Sequence, residues 1–464
     1  MIQIYNTLTG KKEEFKPVED GIVRIYTCGP TVYNYIHLGN ARPAVVFDVF
    51  RRYLEYRGYQ VVYVQNFTDI DDKIINRAKE LGVDFRKLSE KFIKEYRVDA
   101  AKLGIREANF HPKTTDFVNE IIDFIKELIE KGYAYEVDGD VYFSVRKFEK
   151  YGELSHRNID ELIAGARIEP GEKKKDPLDF ALWKSAKPDE PHWESPWSSG
   201  RPGWHIECSV MSTKILGKTF DIHAGGNDLI FPHHENEKAQ TEALTGKPFV
   251  KYWMHNGMIN FKGMKMSKST GNFVILRESL KAFGKDAIRY FLLSKHYRSP
   301  IDASVELLEE AKKATQRVNE ALDRIYRTLN KELIIPKNES LWVKEKRSQI
   351  IEALDDDFNT PKALGVIFDT IRELNSTDDR DVLEEGYYLI REEFGPIFGL
   401  FEAQQEQENV STQKLDEVLR IIINIRNEFR KNKDFATADR IRDELSNIGI
   451  NLKDTPNGTE WSMN

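Results

Sequence analysis

Residues 22–69 read IVRIYTCGPTVYNYIHLGNARPAVVFDVFRRYLEYRGYQVVYVQNFTD, and this stretch decides the fold. Residues 22–28 are β-branched and aromatic and end at a Gly-Pro pair, which predicts a buried strand. A helix is predicted from about Ala41 and stops at Gly58, and residues 60–69 predict a second strand. Because a strand, a helix and a strand follow one another within about 50 residues, we expect a βαβ unit and a parallel sheet.

The same α/β pattern returns further along the chain. Strands are predicted at 219–225 and 250–255, with helices before and between them. The intervening stretch 116–200 changes character and is rich in proline and glycine near its end, which indicates an insertion into the α/β domain. After about 275 the pattern becomes helical, and a polar stretch, 402–413, predicts a linker before a small terminal unit.

Composition limits the class of protein. The chain has 464 residues, which is on the order of three domains, and its formal charge is −7 from 69 basic and 76 acidic residues. A general nucleic-acid binder would carry a basic excess, so any nucleic acid must meet local basic patches. The two cysteines cannot form a disulfide framework, and no signal peptide or apolar run of about 18 residues is present. We therefore expect a soluble, cytoplasmic protein.

Chemically capable residues follow four of the predicted strands. Cys28 closes the first strand, Thr68 the second, His223 the third and His255 the fourth. In an open parallel sheet, ligands bind beyond the carboxyl ends of the strands. The sequence therefore predicts that these four positions meet at one crevice.

Two short motifs are suited to phosphate. His37-Leu38-Gly39-Asn40 stands just before a predicted helix, whose free N–H groups and dipole favour an anion. The alternative is a loop histidine beside a turn glycine. Residues 265–269, Lys-Met-Ser-Lys-Ser, place Lys265 and Lys268 three positions apart in a basic loop that fits a polyphosphate. The alternative there is a solvated surface loop.

A metal site can be read from thiols and imidazoles. Cys28, Cys208 and the pair His233 and Glu237 are ligands suited to zinc, and the pair lies at i and i+4 on one helix face. Spacing alone allows His234 in place of His233. The alternative is two inert buried cysteines beside a surface His-His-Glu run.

The two phosphate motifs together resemble the paired signatures of the class I aminoacyl-tRNA synthetases. Five stretches resemble, more narrowly, the cysteinyl-tRNA synthetase family: TCGPTVYNYIHLGNAR (27–42), NFTDIDDKI (66–74), GRPGWHIECS (200–209), FPHHENE (231–237) and KMSKSTGN (265–272). The resemblance is dense over 22–80 and 200–275 and looser at DDDFNTP (355–361). The class-wide tetrad is His-Ile-Gly-His, so Leu38 and Asn40 are departures. Asn40 can donate to phosphate but cannot be cationic.

The resemblance implies an α/β fold with a parallel Rossmann-like nucleotide-binding catalytic domain, an inserted connective subdomain, an all-α bundle and a small C-terminal anticodon-binding unit. The implied bounds are 1–115 and 201–275 for the two halves of the catalytic domain, 116–200 for the insertion, 276–402 for the bundle and 403–464 for the terminal unit.

The resemblance also implies roles for individual residues. Zinc ligands are expected at Cys28, Cys208, His233 and Glu237, and substrate contacts at Thr68, Trp204 and His223. Nucleotide contacts are expected at His37, Gly39, Asn40, Asp228 and Lys268, with His37, Lys265 and Lys268 catalytic. For Asp228 a plain turn is the alternative. The expected reaction joins L-cysteine to tRNA(Cys) with ATP and Mg²⁺ through a cysteinyl-adenylate, in a monomer without membrane contacts.

Residues 420–442 carry seven basic and three acidic side chains, a local excess that suits tRNA backbone phosphates. An ordinary solvated helix is the alternative. Trp461 is expected to stack on a base or to anchor the terminus, and Asp69, Asp71 and Asp72 to start a helix rather than hold a second metal. Two other functions fit less well: a cysteine ligase with a small amine acceptor, and a non-catalytic zinc- and nucleotide-binding regulator. The long chain after residue 269 disfavours the first, and intact His37, Lys265 and Lys268 disfavour the second.

Overall fold

The structure is a computed structural model. It describes residues 1–158, 173–260, 275–329, 339–402, 407–432, 434–447, 450–455 and 458–463. Two compact units are present, residues 1–402 and residues 403–464, and each is described by itself. The finer division into five segments stays a prediction.

Within these ranges the strands are β1 (Gln3–Asn6), β2 (Lys11–Glu14), β3 (Ile22–Thr27), β4 (Gln60–Gln65), β5 (Ala134–Val137), β6 (Asp140–Phe143), β7 (Phe180–Ser185), β8 (Gly200–Pro202), β9 (Phe220–Gly226), β10 (Val250–Asn256), β11 (Ile259–Asn260), β12 (Ile301–Asp302), β13 (Ile450–Thr455) and β14 (Gly458–Met463). The α-helices are α1 (Leu38–Tyr56), α2 (Asp72–Leu81), α3 (Phe85–Lys102), α4 (Val118–Glu130), α5 (Trp204–Leu216), α6 (Glu235–Thr245), α7 (Leu276–Phe283), α8 (Lys285–Leu293), α9 (Val305–Thr328), α10 (Leu341–Asp355), α11 (Thr360–Leu374), α12 (Arg380–Tyr387), α13 (Gly395–Phe398), α14 (Gln407–Lys431) and α15 (Phe435–Asn447).

The central sheet has the order β10-β9-β3-β4, and every neighbouring pair is parallel. This confirms the parallel α/β fold predicted from residues 22–69. The strands are buried on both faces: Ile25 and Ile222 are fully covered on one face, and Tyr26 and Trp253 on the other. Burial of each such side chain stabilises the fold by about 1.5–3 kcal/mol relative to leaving it exposed. Since a buried charge is costly, a charged residue at Ile25 would break the sheet. The parallel register brings the carboxyl ends of all four strands to one edge.

The stretch between the two halves of the sheet builds a second sheet. Strands β5, β6, β7 and β8 are joined in that order and are antiparallel throughout. Their core, which includes Phe143 and Trp183, continues onto Ile206 and Val210 of α5 and Ala239 of α6. The insertion therefore packs directly on the two helices that carry Cys208 and Glu237.

Helices α7 to α13 form the all-α part of residues 1–402. One hydrophobic core runs from α1 and the sheet into these helices, through Tyr53 and Phe50 to Phe358 and Leu354. The prediction that strands stop after about 275 is wrong at one point, because β12 pairs in parallel with β11. A two-residue strand is too short to give a sequence pattern.

The terminal unit contains α14, α15 and the antiparallel hairpin of β13 and β14. The linker predicted at 402–413 is wrong from residue 407 onward, where α14 has already begun. Glutamate and glutamine are good helix formers, so a polar composition did not exclude a helix. The hairpin was also missed, although Asn457-Gly458 is a strong hairpin signal in the sequence. Trp461 of β14 is partly buried against Leu419, Leu445 and Ile450, as expected of a packing anchor.

Most of the basic excess of residues 420–442 faces solvent. Arg420, Arg430, Lys431, Arg440 and Arg442 are exposed, whereas Arg426 is buried at 1% exposure. The unit therefore presents an exposed basic surface, though a smaller one than the sequence count implies. In the part of the chain that the structure describes, no helix is long and apolar enough to cross a membrane.

Candidate active site

A cavity of about 390 Å³ opens at the carboxyl edge of the central sheet. Its wall gathers most of the described residues that the sequence singled out: Cys28, His37, Gly39, Asn40, Thr68, Trp204, Cys208, Asp228 and His233. Cys28 and Thr68 therefore meet at one cavity, as predicted from their positions at the ends of strands. His223 and His255 lie behind this wall, at 0% and 3% exposure.

Next to the cavity lies a cluster of four metal-binding side chains, the donor cluster: Cys28, Cys208, His233 and Glu237. Their ligand atoms all lie within 4.8 Å of one another. The two Sγ atoms are 3.7 Å apart in free thiols, and His233 Nε2 lies 3.0 Å from Glu237 Oε1. Three of the four residues are at most 2% exposed.

A second set shares two of these residues. Cys28 and Glu237 also lie within 4.8 Å of His223 and His234. The two sets overlap, so they describe one site with alternative partners. The structure thus keeps open the choice between His233 and His234 that spacing left open. Three members of the first set line the cavity, Cys28, Cys208 and His233, whereas only Cys28 of the second set does. The first set is therefore the one that can meet a ligand there.

The chemistry of the donor cluster fits zinc. Two thiols, an imidazole nitrogen and a carboxylate oxygen are a borderline-soft set that zinc accepts in tetrahedral sites. Glu237 Oε2 is buried, makes no hydrogen bond within the described chain and faces His223 Nε2 at 3.4 Å. A buried carboxylate oxygen without a donor is costly unless a cation or proton meets it.

Burial dominates the electrostatics of the donor cluster. It raises the pKa of Cys28 well above its usual value, with Cys208 adding to the effect, and raises the pKa of Glu237. Burial also acts to raise the pKa of Cys208, but the hydrogen bond from Cys28 and the nearby His233 outweigh it and bring this pKa to about 7. The imidazoles behind the wall, His223 and His234, have lowered pKa values because of burial. The cluster thus holds thiols and a carboxyl that a dipositive ion would help to ionise.

Neighbouring rings fix the orientation of His233. Its Nδ1 lies 3.0 Å from His205 Nδ1, and Trp204 stacks on its ring at 4.3 Å between centroids. Trp204 remains 41% exposed and lines the cavity, while its helix α5 also carries Cys208. One helix therefore supplies both an aromatic wall and a thiol, which places Trp204 where a small substrate would be covered.

The wall of the same cavity also includes the start of α1, the capped turn of residues 37–40. His37 Nδ1 accepts a hydrogen bond from the Asn40 backbone N–H at 3.3 Å, and Asn40 Oδ1 accepts from the His37 N–H at 3.2 Å. Asn40 therefore caps the helix. This role could not be inferred from the observation that Asn40 stands where the class tetrad has a histidine. Since Nδ1 accepts, the neutral ring carries its proton on Nε2, the nitrogen able to donate. Desolvation lowers the pKa of His37 although the residue keeps contact with solvent.

Several cavity residues were missed by the sequence reasoning. Asn256, Gly257, Met258 and Ile259 line the cavity at and just after the end of β10, and Gly226 and Asp228 line it at the end of β9, where Gly226 pairs with Asn256. Arg42, fully buried in α1, donates to the carbonyl oxygens of Met258 at 3.1 Å and Ser299 at 2.6 Å. The rule that ligands bind beyond the ends of parallel strands would have indicated 256–259.

Four further residues of the wall come from the end of β4, from α2 and from α3: Gln65, Asn66, Lys73 and Tyr96. Asn66 and Lys73 belong to the NFTDIDDKI stretch, so that motif held more of the cavity than Thr68 alone. Tyr96, on α3, carried no sequence signal because only the fold brings it there.

Lys265 and Lys268 lie outside the described residues. The described chain resumes at residue 275, beside the capped turn: the Leu276 N–H donates to the Ile36 carbonyl at 3.0 Å. Residue 275 is also bridged to His37. The chain that leaves the KMSKS stretch is therefore attached directly to the capped turn.

The acidic run after β4 has structural partners. Asp71 caps α2 through the Lys73 N–H at 2.9 Å, and Asp72 pairs with Arg201 and Lys184. Asp69 accepts from the Thr115 hydroxyl at 2.6 Å. These contacts agree with a helix start, and the described part of the chain shows no metal-like grouping of these three carboxylates.

Comparison with known families adds an independent result. The catalytic-domain model of the class I (C) tRNA synthetases matches residues 14–313, and the DALR-domain model matches residues 349–402. The DALR match thus falls on the last helices of residues 1–402.

Curated relatives match along the whole chain. The cysteine–tRNA ligase of Thermotoga maritima is 59% identical over 465 residues, with 100% of this chain and 100% of the relative covered. The cysteine–tRNA ligase of Thermosipho africanus is 59% identical, with 100% of this chain and 98% of the relative covered. That of Fervidobacterium nodosum is 54% identical, with 100% and 99% covered.

Solved structures share the fold at low identity. Mycobacterium tuberculosis methionyl-tRNA synthetase in complex with methionyl-adenylate has a TM-score of 0.61 at 15% identity, covering 82% of this chain and 92% of that one. A putative arginyl-tRNA synthetase from Campylobacter jejuni has a TM-score of 0.57 at 14% identity, covering 83% and 94%. From the family match and the full-length relatives, the chain belongs to the cysteine–tRNA ligase family of class I tRNA synthetases, enzymes that form a carbon–oxygen bond.

Proposed function

We propose that the chain ligates L-cysteine to tRNA(Cys) with ATP and Mg²⁺, through a cysteinyl-adenylate, and selects cysteine with a zinc ion. The observation that carries this proposal is one cavity whose wall includes both three members of the donor cluster and the capped turn. A thiol amino acid is proposed to bind there with its sulfur at the donor cluster and its carboxylate directed to the capped turn. The protein is proposed to act as a cytoplasmic monomer.

Selection of cysteine needs more than shape. A pocket that distinguishes small side chains by fit supplies about 1–3 kcal/mol, whereas roughly 10⁴-fold discrimination needs about 5.5 kcal/mol. Zinc held by Cys28, Cys208, His233 and Glu237 would supply a Lewis acid that favours a thiolate over a hydroxyl. The chain's own residues hold that donor set together, cover it with Trp204 and leave Cys28, Cys208 and His233 open to the cavity.

Activation requires that phosphate charge be met as the substrate carboxylate attacks the α-phosphorus. His37, whose neutral ring carries its proton on Nε2, and the start of α1 both line the cavity and can donate to a phosphate oxygen. Gly39 has no side chain to obstruct the nucleotide, and Asp228, which lines the same cavity, is suited to accept from ribose hydroxyls. Lys265 and Lys268 are proposed to add positive charge. Positioning of the two substrates and stabilisation of the phosphate charge then suffice for activation, since no protein nucleophile is required.

The acceptor is proposed to be tRNA. Support comes from relatives named cysteine–tRNA ligase that match over the full length, from the DALR match at 349–402, and from the exposed basic side chains of residues 420–442. A ligase with a small amine acceptor has no use for those parts, and no observation favours it. The terminal unit, residues 403–464, is proposed to contact the anticodon region.

The test is ATP–pyrophosphate exchange with each amino acid, followed by charging of tRNA(Cys). We expect exchange with cysteine and at most trace exchange with serine or alanine, and esterification of tRNA that depends on its 3′ end. Exchange with another amino acid at a comparable kcat/KM would contradict the substrate. Exchange with cysteine without charging of tRNA would contradict the acceptor.

A further inference from the structure

Behind the cavity wall, a buried carboxylate holds the hydroxyl of Thr68. Thr68 Oγ1 donates to Glu207 Oε2 at 3.1 Å, and Thr114 Oγ1 donates to the same oxygen at 2.7 Å. Thr68 lines the cavity, whereas Glu207 and Thr114 do not and are 1% and 0% exposed. Glu207 therefore acts on the cavity only through Thr68.

These contacts fix the polarity of the Thr68 hydroxyl. A hydroxyl has one proton and two lone pairs, so a hydroxyl that donates to Glu207 can only accept on its other side. One lone pair receives a long contact from Asn66 Nδ2 at 3.5 Å. Asn66 is itself held, because its Oδ1 accepts the Gly29 N–H at 2.8 Å. Thr68 thus presents an acceptor to the cavity, and its rotation is restrained.

The carboxyl of Glu207 can take both hydroxyl protons through Oε2. In the part of the chain that the structure describes, no lysine, arginine or histidine forms an ion pair with it. Burial raises the pKa of Glu207; Oε2 accepts both hydrogen bonds when the group is ionised, and also when it is neutral with its proton on Oε1. What the arrangement requires is an acceptor oxygen at that distance.

A cysteine molecule in this cavity needs a third contact. Its sulfur and its carboxylate are assigned to the donor cluster and to the capped turn, which leaves the α-ammonium group, a donor with three protons. Thr68, whose free side is an acceptor, lines the same cavity.

We propose that Glu207 is a positioning residue for the amino-acid substrate, which takes the proton of the Thr68 hydroxyl so that Thr68 Oγ1 accepts from the α-ammonium group of cysteine. This inference rests on the proposed function and adds to it the recognition of the amino group. Glu207 does not touch the substrate.

The test compares two variants of opposite character in the zinc-loaded, full-length protein. Glu207→Gln keeps the length of the side chain and an acceptor oxygen, whereas Glu207→Asp keeps the charge but withdraws the oxygen by one methylene. In ATP–pyrophosphate exchange we expect Glu207→Asp to raise the KM for cysteine about tenfold, the scale of one lost hydrogen bond to a charged group, and Glu207→Gln to stay within about threefold. The KM for ATP should stay within about twofold in both.

Two further measurements separate positioning from a structural role. Thr114→Val removes the other donor to Glu207 Oε2 without touching the cavity, and should leave the KM for cysteine within about twofold. In a Thr68→Val background, Glu207→Asp should have no further effect on the KM for cysteine, because its route to the substrate is gone. The inhibitor 3-mercaptopropionate, which lacks the amino group, should bind the wild type and Glu207→Asp equally well. Zinc content and melting temperature are measured for each variant.

The outcomes are distinct. An active wild type whose KM for cysteine is unchanged by Glu207→Asp overturns the inference, as does a full additional effect in the Thr68→Val background. Equal losses in Glu207→Gln and Glu207→Asp also overturn it, because an acceptor oxygen kept at its original distance would then fail to preserve the KM for cysteine. If Glu207→Asp does not fold, Glu207→Met takes its place in the same comparison. A wild type without cysteine-dependent exchange overturns the proposed function itself.

Discussion

The capped turn takes His37, Gly39 and Asn40 from four consecutive residues, whereas the donor cluster joins Cys28 to Glu237, which are 209 positions apart. The turn is stabilised by its own reciprocal hydrogen bonds, so its geometry is local. The cluster exists only because the end of β3, helix α5 and the start of α6 meet at the same edge of the sheet. A local device tolerates the loss of one contact, but a cluster assembled by the fold should lose its function with any one ligand.

Cys208→Ala should have the largest effect. With one of four ligands gone, the ion is bound less well and placed poorly, so zinc content should fall below one per chain and cysteine activation by at least about 1000-fold. Metal analysis and pyrophosphate exchange measure both. Ser212→Ala, on the same helix, buried and off the cavity, is the matched control. Full zinc and normal exchange in Cys208→Ala would remove Cys208 from the site.

Lys268→Ala should slow formation of the cysteinyl-adenylate at least about 100-fold while the affinity for cysteine changes little. The charge that this lysine is proposed to meet develops only as the phosphorus is attacked. Rapid-quench measurement of adenylate formation tests it, with Lys262→Ala as a control in the same stretch of sequence. An unchanged rate would exclude Lys268 from the mechanism.

Removal of residues 403–464 should leave adenylate formation nearly intact and weaken charging of tRNA at least about tenfold, because the exposed basic side chains of residues 420–442 go with it. Thermal melting of the 1–402 fragment serves as the control for folding. Equal charging by the fragment and the full chain would show that the terminal unit does not bind tRNA.

Asn40→Ala should have the smallest effect. Loss of its half of the reciprocal cap should lower the free energy of unfolding by about 0.5–2 kcal/mol, and adenylate formation should slow only several-fold because His37 keeps the backbone bond to residue 40. Thermal melting and exchange kinetics measure the two effects. Asn34→Ala, in the preceding exposed loop, is the control. A loss as large as that of Cys208→Ala would contradict the contrast between the capped turn and the donor cluster.

The same contrast explains which features of the fold and the site could be predicted from the sequence. The order of strands and helices in residues 22–69 comes from local patterns, and the structure shows it. The helix predicted from about Ala41 begins earlier, at Leu38, with His37 as its N-cap. The donor set was identified from residue types, but its choice of histidine rested on resemblance, because spacing admits His233 and His234 equally. No sequence pattern pointed to Glu207 or Tyr96. The buried contact of Glu207 with Thr68 joins residues 139 positions apart, and such a contact leaves no periodicity in the sequence. The linker at 402–413 failed because polarity does not distinguish a solvated helix from a coil.

The central claim is that the donor cluster holds a metal that selects cysteine by its sulfur. Cobalt in place of zinc gives a direct probe, because thiolate-to-cobalt charge-transfer bands grow with each sulfur bound. We predict that cysteine intensifies these bands, that serine at the same concentration does not, and that Cys208→Ala weakens them before any substrate is added. Spectra that do not respond to cysteine would contradict the claim, and selection would then have to come from the walls around Thr68 and Trp204, which supply only about 1–3 kcal/mol.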